Sequence, residues 1–292
     1  MSLEVLQANQ TSSSPHAFLR PFRRLRSQTG CLRGLDFLWL EITQSCNLTC
    51  RHCYTESGPH LPISDRMQMA DWCRALDEAR SSGCRRVQFI GGEPTVHPGL
   101  NELIVHAKSS GFRFCEVFTN ATLLRDDLVD TFRRHKVLVA TSFYSSDPGT
   151  HDRITGQAGS FDSTVEGIKK LVQKRIPIRA GVILLDENAT HLKKAKALLR
   201  QLGVRWIGKD EVRGVGRGER YMKPANDQVQ LCGDCWKRRL CITSTGDAYP
   251  CVFSRATRVG NFLTDGIQGI LKVEELHTFR RAVYLGELGG AR

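Results

Sequence analysis

No stretch of the 292-residue chain is apolar for the roughly 18 residues that a membrane-crossing helix needs. The opening MSLEVLQANQTSSSPHAF lacks a charged lead followed by an apolar core, so it does not read as a secretory signal. These absences point to a cytoplasmic protein with no membrane partner. There is no internal repeat, and no basic run is interleaved with aromatics. The formal net charge of +12 is spread along the chain, with one local cluster, RPFRRLR, at residues 20–26. Nucleic acid is therefore not an expected partner. A hydrophobic content of 40% is enough for a large core and excludes wholesale disorder.

Also missing is a fourth cysteine where one would be expected. The stretch CNLTCRHCY places Cys46, Cys50 and Cys53 in a C-x3-C-x2-C spacing. The eleven cysteines of a cytoplasmic chain are not a disulfide framework, because that compartment keeps thiols reduced. Metal binding or catalysis is the better reading. Structural zinc uses four protein ligands, and His52, wedged between Cys50 and Cys53, is badly placed to be the fourth. Three thiolates suit three corners of a [4Fe–4S] cubane, which leaves the fourth iron open to a non-protein ligand. A second group, Cys232, Cys235, Cys241 and Cys251, has four thiols and could hold zinc or an iron–sulfur cluster. Cys31, Cys73, Cys84 and Cys115 are scattered and read as small packing residues.

Between residues 36 and 209 strand-like and helix-like segments alternate. Strands are expected at 37–43, 86–90, 112–119, 136–142, 178–184 and 204–209. A first helix is expected after Ser64 or Asp65 as N-cap, with Gly83 as its stop. Six such units predict an α/β fold, a partial (β/α)6 TIM-like barrel, although a doubly wound sheet also fits the pattern. In either arrangement reactive groups gather at the C-terminal ends of the strands. The cysteine triplet, GGEP, TNA and SFYSSD each follow one of the first four strands, so all four fall on that edge. The expected organisation is a basic, poorly ordered segment at 1–35, the partial barrel at 36–210, and a small cluster-binding subdomain with a closing helix at 211–292.

CNLTCRHC followed one strand later by GGEP (Gly91, Gly92, Glu93, Pro94) resembles the radical S-adenosylmethionine (AdoMet) superfamily over residues 36–210. The resemblance implies that AdoMet chelates the open iron and is cleaved by one electron to methionine and a 5′-deoxyadenosyl radical, which abstracts a substrate hydrogen. It implies that Gly91 and Gly92 let backbone approach the methionine moiety, that Glu93 receives its ammonium, and that Pro94 fixes the turn. His52 stands where the family places an aromatic near adenine, Tyr54 where it would seal the cluster, and Ser142 where it would reach ribose. Asn120 lies in TNA, where relatives often read TNG; Ala121 departs from that pattern and puts in doubt a role needing positive φ. Arg179 and Asp210 are further candidates for AdoMet or substrate contacts.

The second cysteine group resembles SPASM or twitch extensions. With only four thiols it implies one auxiliary [4Fe–4S] cluster, fully ligated by protein and suited to moving an electron. The Arg213, Arg217 and Arg220 stretch before it could approach an acidic substrate or be a solvated loop. The resemblance favours oxidative modification of a ribosomally made peptide, by crosslinking or epimerisation. The 35 residues before the core are too few for a full leader-binding domain, so the expectation is either a separate leader-peptide-binding protein as partner or no recognition partner at all. Flavodoxin or ferredoxin is the expected electron donor. A small-molecule dehydrogenase acting on an aminosugar precursor is the alternative. A non-enzymatic zinc or nucleic-acid-binding module is a third reading.

Overall fold

The computed structural model describes residues 34–221 and 231–288. The expected N-terminal segment lies, except for its last two residues, outside the described residues, and so does Cys31. Strands and helices alternate in the order β1 (Phe37–Glu41), α1 (Met69–Ser81), β2 (Arg86–Ile90), α2 (Leu100–Ser109), β3 (Phe114–Phe118) and α3 (Asp126–Arg134). They continue as β4 (Leu138–Phe143), α4 (Pro148–Thr155), α5 (Ser160–Gln173), β5 (Ile178–Leu184), α6 (Leu192–Gln201) and β6 (Trp206–Glu211). The six strands pair in parallel, in the order β6-β5-β4-β3-β2-β1.

Strand side chains alternate between two faces. Leu38, Leu40, Val87, Phe89, Cys115 and Val117 enter one large buried cluster with the apolar faces of the helices. Phe37, Trp39, Ile90, Phe114 and Phe118 face the other way, into a second cluster that no helix of the first 210 residues enters. Helices on one face only mean a partial barrel rather than a doubly wound sheet. The outermost strand leaves Trp206 43% exposed, so the barrel is open on that side.

The C-terminal part does not form a separate sheet. β7 (Arg239–Ile242) pairs in parallel with β1, opposing Cys241 to Trp39, and β8 (Asp247–Tyr249) and β9 (Gly260–Asn261) follow antiparallel. Cys232, Cys235, Cys241 and Cys251 thus join the lumen-facing cluster of the barrel. The expected closing helix is two helices: α7 (Phe262–Ile270), which packs on α1 in the helix-side core, and α8 (Glu274–Leu285), whose Phe279 and Val283 enter the lumen-facing cluster. The first helix also starts later than expected. Gln68 is the N-cap, sharing a reciprocal capping box with Asp71. Asp65 instead accepts Gln44 Nε2 at 2.8 Å, and Met67 is buried and donates to the Ser244 carbonyl, so tertiary ties hold 65–67 out of the helix.

Arg280 of α8 is fully buried; its Nη1 donates to the Gly34 carbonyl at 3.1 Å and its Nη2 to the Arg239 carbonyl at 3.0 Å. It pins α8 to the entries of β1 and β7. Arg280→Leu should leave both carbonyls unpaired and lower stability by about 3 kcal/mol, read as a shift in urea midpoint at unchanged slope.

Candidate functional site

The cysteine triplet forms an irregular loop beyond β1. Its backbone is held from outside: Thr49 N–H donates to the Thr155 carbonyl at 3.0 Å and Arg51 N–H to Ile154 at 2.9 Å. Burial, then the charge of Glu93, pushes the Cys46 thiol far above its ordinary range, and burial with the charge of Cys53 pushes Cys50 up to about 12. Donors already face the sulfurs. Leu48 N–H lies 3.4 Å and Asn120 Nδ2 3.9 Å from Cys46 Sγ, and the Tyr144 hydroxyl favours the Cys50 thiolate. Thr55 Oγ1 lies 3.2 Å from Cys53 Sγ.

Gly91 and Gly92 run against the backbone that leads into this loop. Gly92 N–H donates to Thr43 O and Glu93 N–H to Ser45 O, both at 2.8 Å. Gly91 has φ +140, and a Cβ there would lie 2.5 Å from the Thr43 carbonyl; one at Gly92 would lie 2.1 Å from that of Ser45. What the glycines admit here is the protein's own chain. Pro94 opens a single 3-10 turn, Pro94–Val96, capped by Glu93.

Glu93 is 1% exposed. Its Oε1 accepts Thr95 N–H at 3.0 Å, Thr95 Oγ1 at 2.7 Å and Thr119 Oγ1 at 2.6 Å, and Oε2 accepts Asn120 N–H at 2.7 Å. Burial nevertheless raises its pKa. A carboxylate has about four acceptor positions, so the one expected to receive an ammonium is engaged by four protein donors. It ties GGEP to TNA. Asn120 extends the tie, its Nδ2 donating to Asn47 Oδ1 at 2.9 Å inside the cysteine loop. Ala121, doubted for positive φ, does hold φ +63, and its fully buried methyl offsets part of the strain.

Ser142 shares the Tyr144 hydroxyl with Cys50. The His52 ring lies 5.1 Å from that of Tyr144, edge to face. Its Nδ1 is buried with no partner, and burial, then the charge of Arg217, lowers its pKa to about 4, so the ring is neutral. Arg179 sits away from this edge. It is the second residue of β5, and its Nε and Nη2 hold both oxygens of fully buried Glu116 at 2.7 and 2.8 Å, deep in the lumen. Asp210 accepts Arg213 Nη2 at 2.9 Å.

Tyr54 leans from the first loop toward the second cysteine group. Its hydroxyl donates to Glu41 Oε1 at 3.0 Å, and Arg255 pairs with the same carboxylate and covers the Tyr54 ring. Burial, then Glu41, raises the Cys241 thiol, which hydrogen-bonds Glu41. Cys235 bonds to both Cys232 and Cys251, which raises Cys235 and lowers Cys251. Phe253 N–H reaches Cys251 Sγ at 3.3 Å. A cavity of about 380 Å³ opens beside Tyr54, Glu41 and Arg255.

Among the described residues no three His, Cys, Asp or Glu side chains close around a point for a single metal ion. The donor sets do fit clusters. Thiols raised this far, as at Cys46, Cys50, Cys235 and Cys241, ionise only against a cation, and donors stand beside Cys46, Cys53 and Cys251 for the thiolate state. Sequence reading missed Tyr144, Glu41, Arg255 and the placement of Arg217. Tyr144 lay within SFYSSD, and Arg217 between two glycines, the available signal of close backbone approach.

Gly92→Ala should cost about 1–3 kcal/mol by overpacking, whereas Gly181→Ala, whose Cβ would meet only a side chain at 3.7 Å, should change stability by less than about 0.5 kcal/mol; thermal melts compare them. His151, 1% exposed among Phe143, Tyr144 and Phe161, has its pKa lowered by burial from 6.5 to about 4. The folded state disfavours its proton, so its stabilisation is present above pH 6.5 and is lost toward pH 4, by up to about 3 kcal/mol. His151→Phe should flatten that part of the stability–pH curve.

The described residues contain no helix long and apolar enough to cross a membrane. The radical SAM superfamily model matches residues 40–199, and the SPASM model, an iron–sulfur cluster-binding domain, matches residues 232–287. The chain is 26% identical over 275 residues to the antilisterial bacteriocin subtilosin biosynthesis protein AlbA of Bacillus subtilis (strain 168), covering 83% of this chain and 60% of AlbA. It spans less than two thirds of the length of the curated relatives it matches first. In fold it resembles anSMEcpe with bound AdoMet and Cp18Cys peptide (TM-score 0.65, 17% identity, 86% of this chain and 83% of that one). It also resembles Streptococcus suis SuiB bound to precursor peptide SuiA (TM-score 0.63, 16% identity, 98% and 75%). The parallel partial barrel, the three-thiol loop with GGEP bonded along it, and the match over more than half the chain give one conclusion: this chain belongs to the radical SAM superfamily and carries a SPASM-type iron–sulfur cluster-binding region behind its core.

Proposed function

We propose that the chain is a radical AdoMet enzyme that oxidatively modifies a ribosomally synthesised peptide, through a crosslink or an epimerisation. The observation that carries the radical AdoMet reading is the bonded chain Glu93–Thr119–Asn120–Asn47, which locks three loops around Cys46. Cys46, Cys50 and Cys53 would hold a [4Fe–4S] cluster, which would supply the one-electron chemistry for AdoMet cleavage and hydrogen abstraction. The backbone of Gly91 and Gly92 would line the place for the methionine end. Glu93 fixes that backbone from behind. Neutral His52, with its unpaired Nδ1, and Ser142 are the polar groups offered to the nucleoside end.

Cys232, Cys235, Cys241 and Cys251 would hold the auxiliary cluster, able to take an electron from the substrate. The cavity lined by Tyr54, Thr55, Glu41 and Arg255, next in the chain to Cys53, is the place for the substrate side chain. Support for a peptide comes from AlbA and from the peptides bound in the two structural neighbours. Flavodoxin or ferredoxin in the cytoplasm would supply the electron, and a separate protein would present the leader.

After anaerobic reconstitution the protein should carry about eight irons and release 5′-deoxyadenosine when reduced with AdoMet. Cys53→Ala should lose about half the iron and essentially all AdoMet cleavage. Cys251→Ala should also lose about half but retain cleavage while failing to form modified peptide. Zinc in place of iron, or undiminished cleavage in Cys53→Ala, would contradict the proposal.

A further inference from the structure

The stretch RGVGRG, which the sequence leaves open between a solvated loop and an approach to an acidic substrate, folds back onto the cysteine loop through Arg217. β6 lies at the opposite edge of the barrel sheet from β1, yet the segment after it returns to the cysteine loop. Arg217 N–H donates to the Cys53 carbonyl at 3.0 Å. Its Nε donates to Cys50 O at 2.9 Å, Nη1 to Glu56 O at 2.8 Å and Nη2 to Ser57 O at 2.7 Å. One residue thus satisfies four carbonyls of an irregular loop. The flanking glycines permit this approach. A Cβ at Gly216, itself at φ +58, would lie 2.6 Å from the Tyr54 carbonyl, and one at Gly218 would lie 2.0 Å from that of Arg213.

We propose that Arg217 is a positioning residue for the AdoMet-binding cluster: its guanidinium fork sets the shape of the Cys50–Ser57 loop, and its charge beside Cys50 favours the reduced state. This rests on the proposed radical AdoMet function. Only a planar fork with several fixed donors can serve three diverging carbonyls; a lysine ammonium keeps the charge but not that geometry. The two contributions are therefore separable by substitution. A cation next to a couple whose reduced form is more negative raises its potential.

The test is an anaerobic redox titration of the reconstituted full-length protein, following the electron paramagnetic resonance signal that changes on adding AdoMet, together with the rate of iron loss from that cluster to a chelator. In Arg217→Gln the reduced-to-oxidised ratio at fixed potential should fall about tenfold, a negative midpoint shift of about 59 mV for one electron. Iron loss should be about tenfold faster. Arg217→Lys should keep a midpoint near that of the wild type but lose iron as fast as Arg217→Gln. In both variants the AdoMet-insensitive signal should be unchanged. Wild-type midpoint and iron loss in Arg217→Gln would overturn the inference, as would equal shifts in both signals. If Arg217→Gln does not fold, Arg217→Lys decides: iron loss at the wild-type rate overturns the inference. A wild-type protein with no AdoMet-sensitive signal would sink the proposed function itself, and the inference with it.

Discussion

Three thiols are crowded into one loop at the end of a strand, and two of them, Cys46 and Cys50, resist ionisation unless a cation shares the site. Cys46 and Cys50 are both pushed up by burial and by neighbouring negative charge. The surrounding structure is built around the state in which they have lost their protons. Backbone and side-chain donors face the sulfurs, Arg217 is the cation beside the loop, and no carboxylate hydrogen-bonds the three thiols. Glu93, the nearest negative group, is drawn back into a cage of four donors on the GGEP and TNA loops.

This constraint orders the rest of the fold. A loop with little internal hydrogen bonding must be held by its neighbours. Apart from Ile154 and Thr155 at the end of α4, the neighbours lie just beyond the C-terminal ends of parallel strands: GGEP after β2, TNA after β3, Tyr144 after β4 and Arg217 after β6. The segment after β6 crosses back to the loop that follows β1. On the other side β7 extends the same sheet, so the second cysteine group is built directly onto the strand that leads to the first. Tyr54, Glu41 and Arg255 fill the space between them with one buried hydrogen-bonded unit.

Much of this was legible in the sequence, because cysteine spacing and strand periodicity are local. The six strands, the edge that collects the unusual stretches, and the two cysteine groups need only residue type and separation. What was not legible depends on contacts across the fold. Arg179 reads as a free cation near a strand, yet its partner Glu116 is 63 residues away on another strand. Thr119 and Asn120 bond Glu93 from 26 and 27 residues further along the chain, a tie that no spacing announces. The start of α1 shifts because Asp65 and Met67 are held by Gln44 and Ser244. Tyr144 and Arg217 carry no spacing signal of their own and become visible only when distant loops converge.

The most direct measurement is electron–nuclear double resonance on the reduced protein, with AdoMet carrying 15N in its amino group and 17O in its carboxylate. If an iron at the residue 46–53 loop is bare of protein and takes AdoMet, both nuclei should couple to the cluster, and the couplings should vanish in Cys46→Ala. A protein that binds labelled AdoMet and shows no coupling from either nucleus would contradict the account.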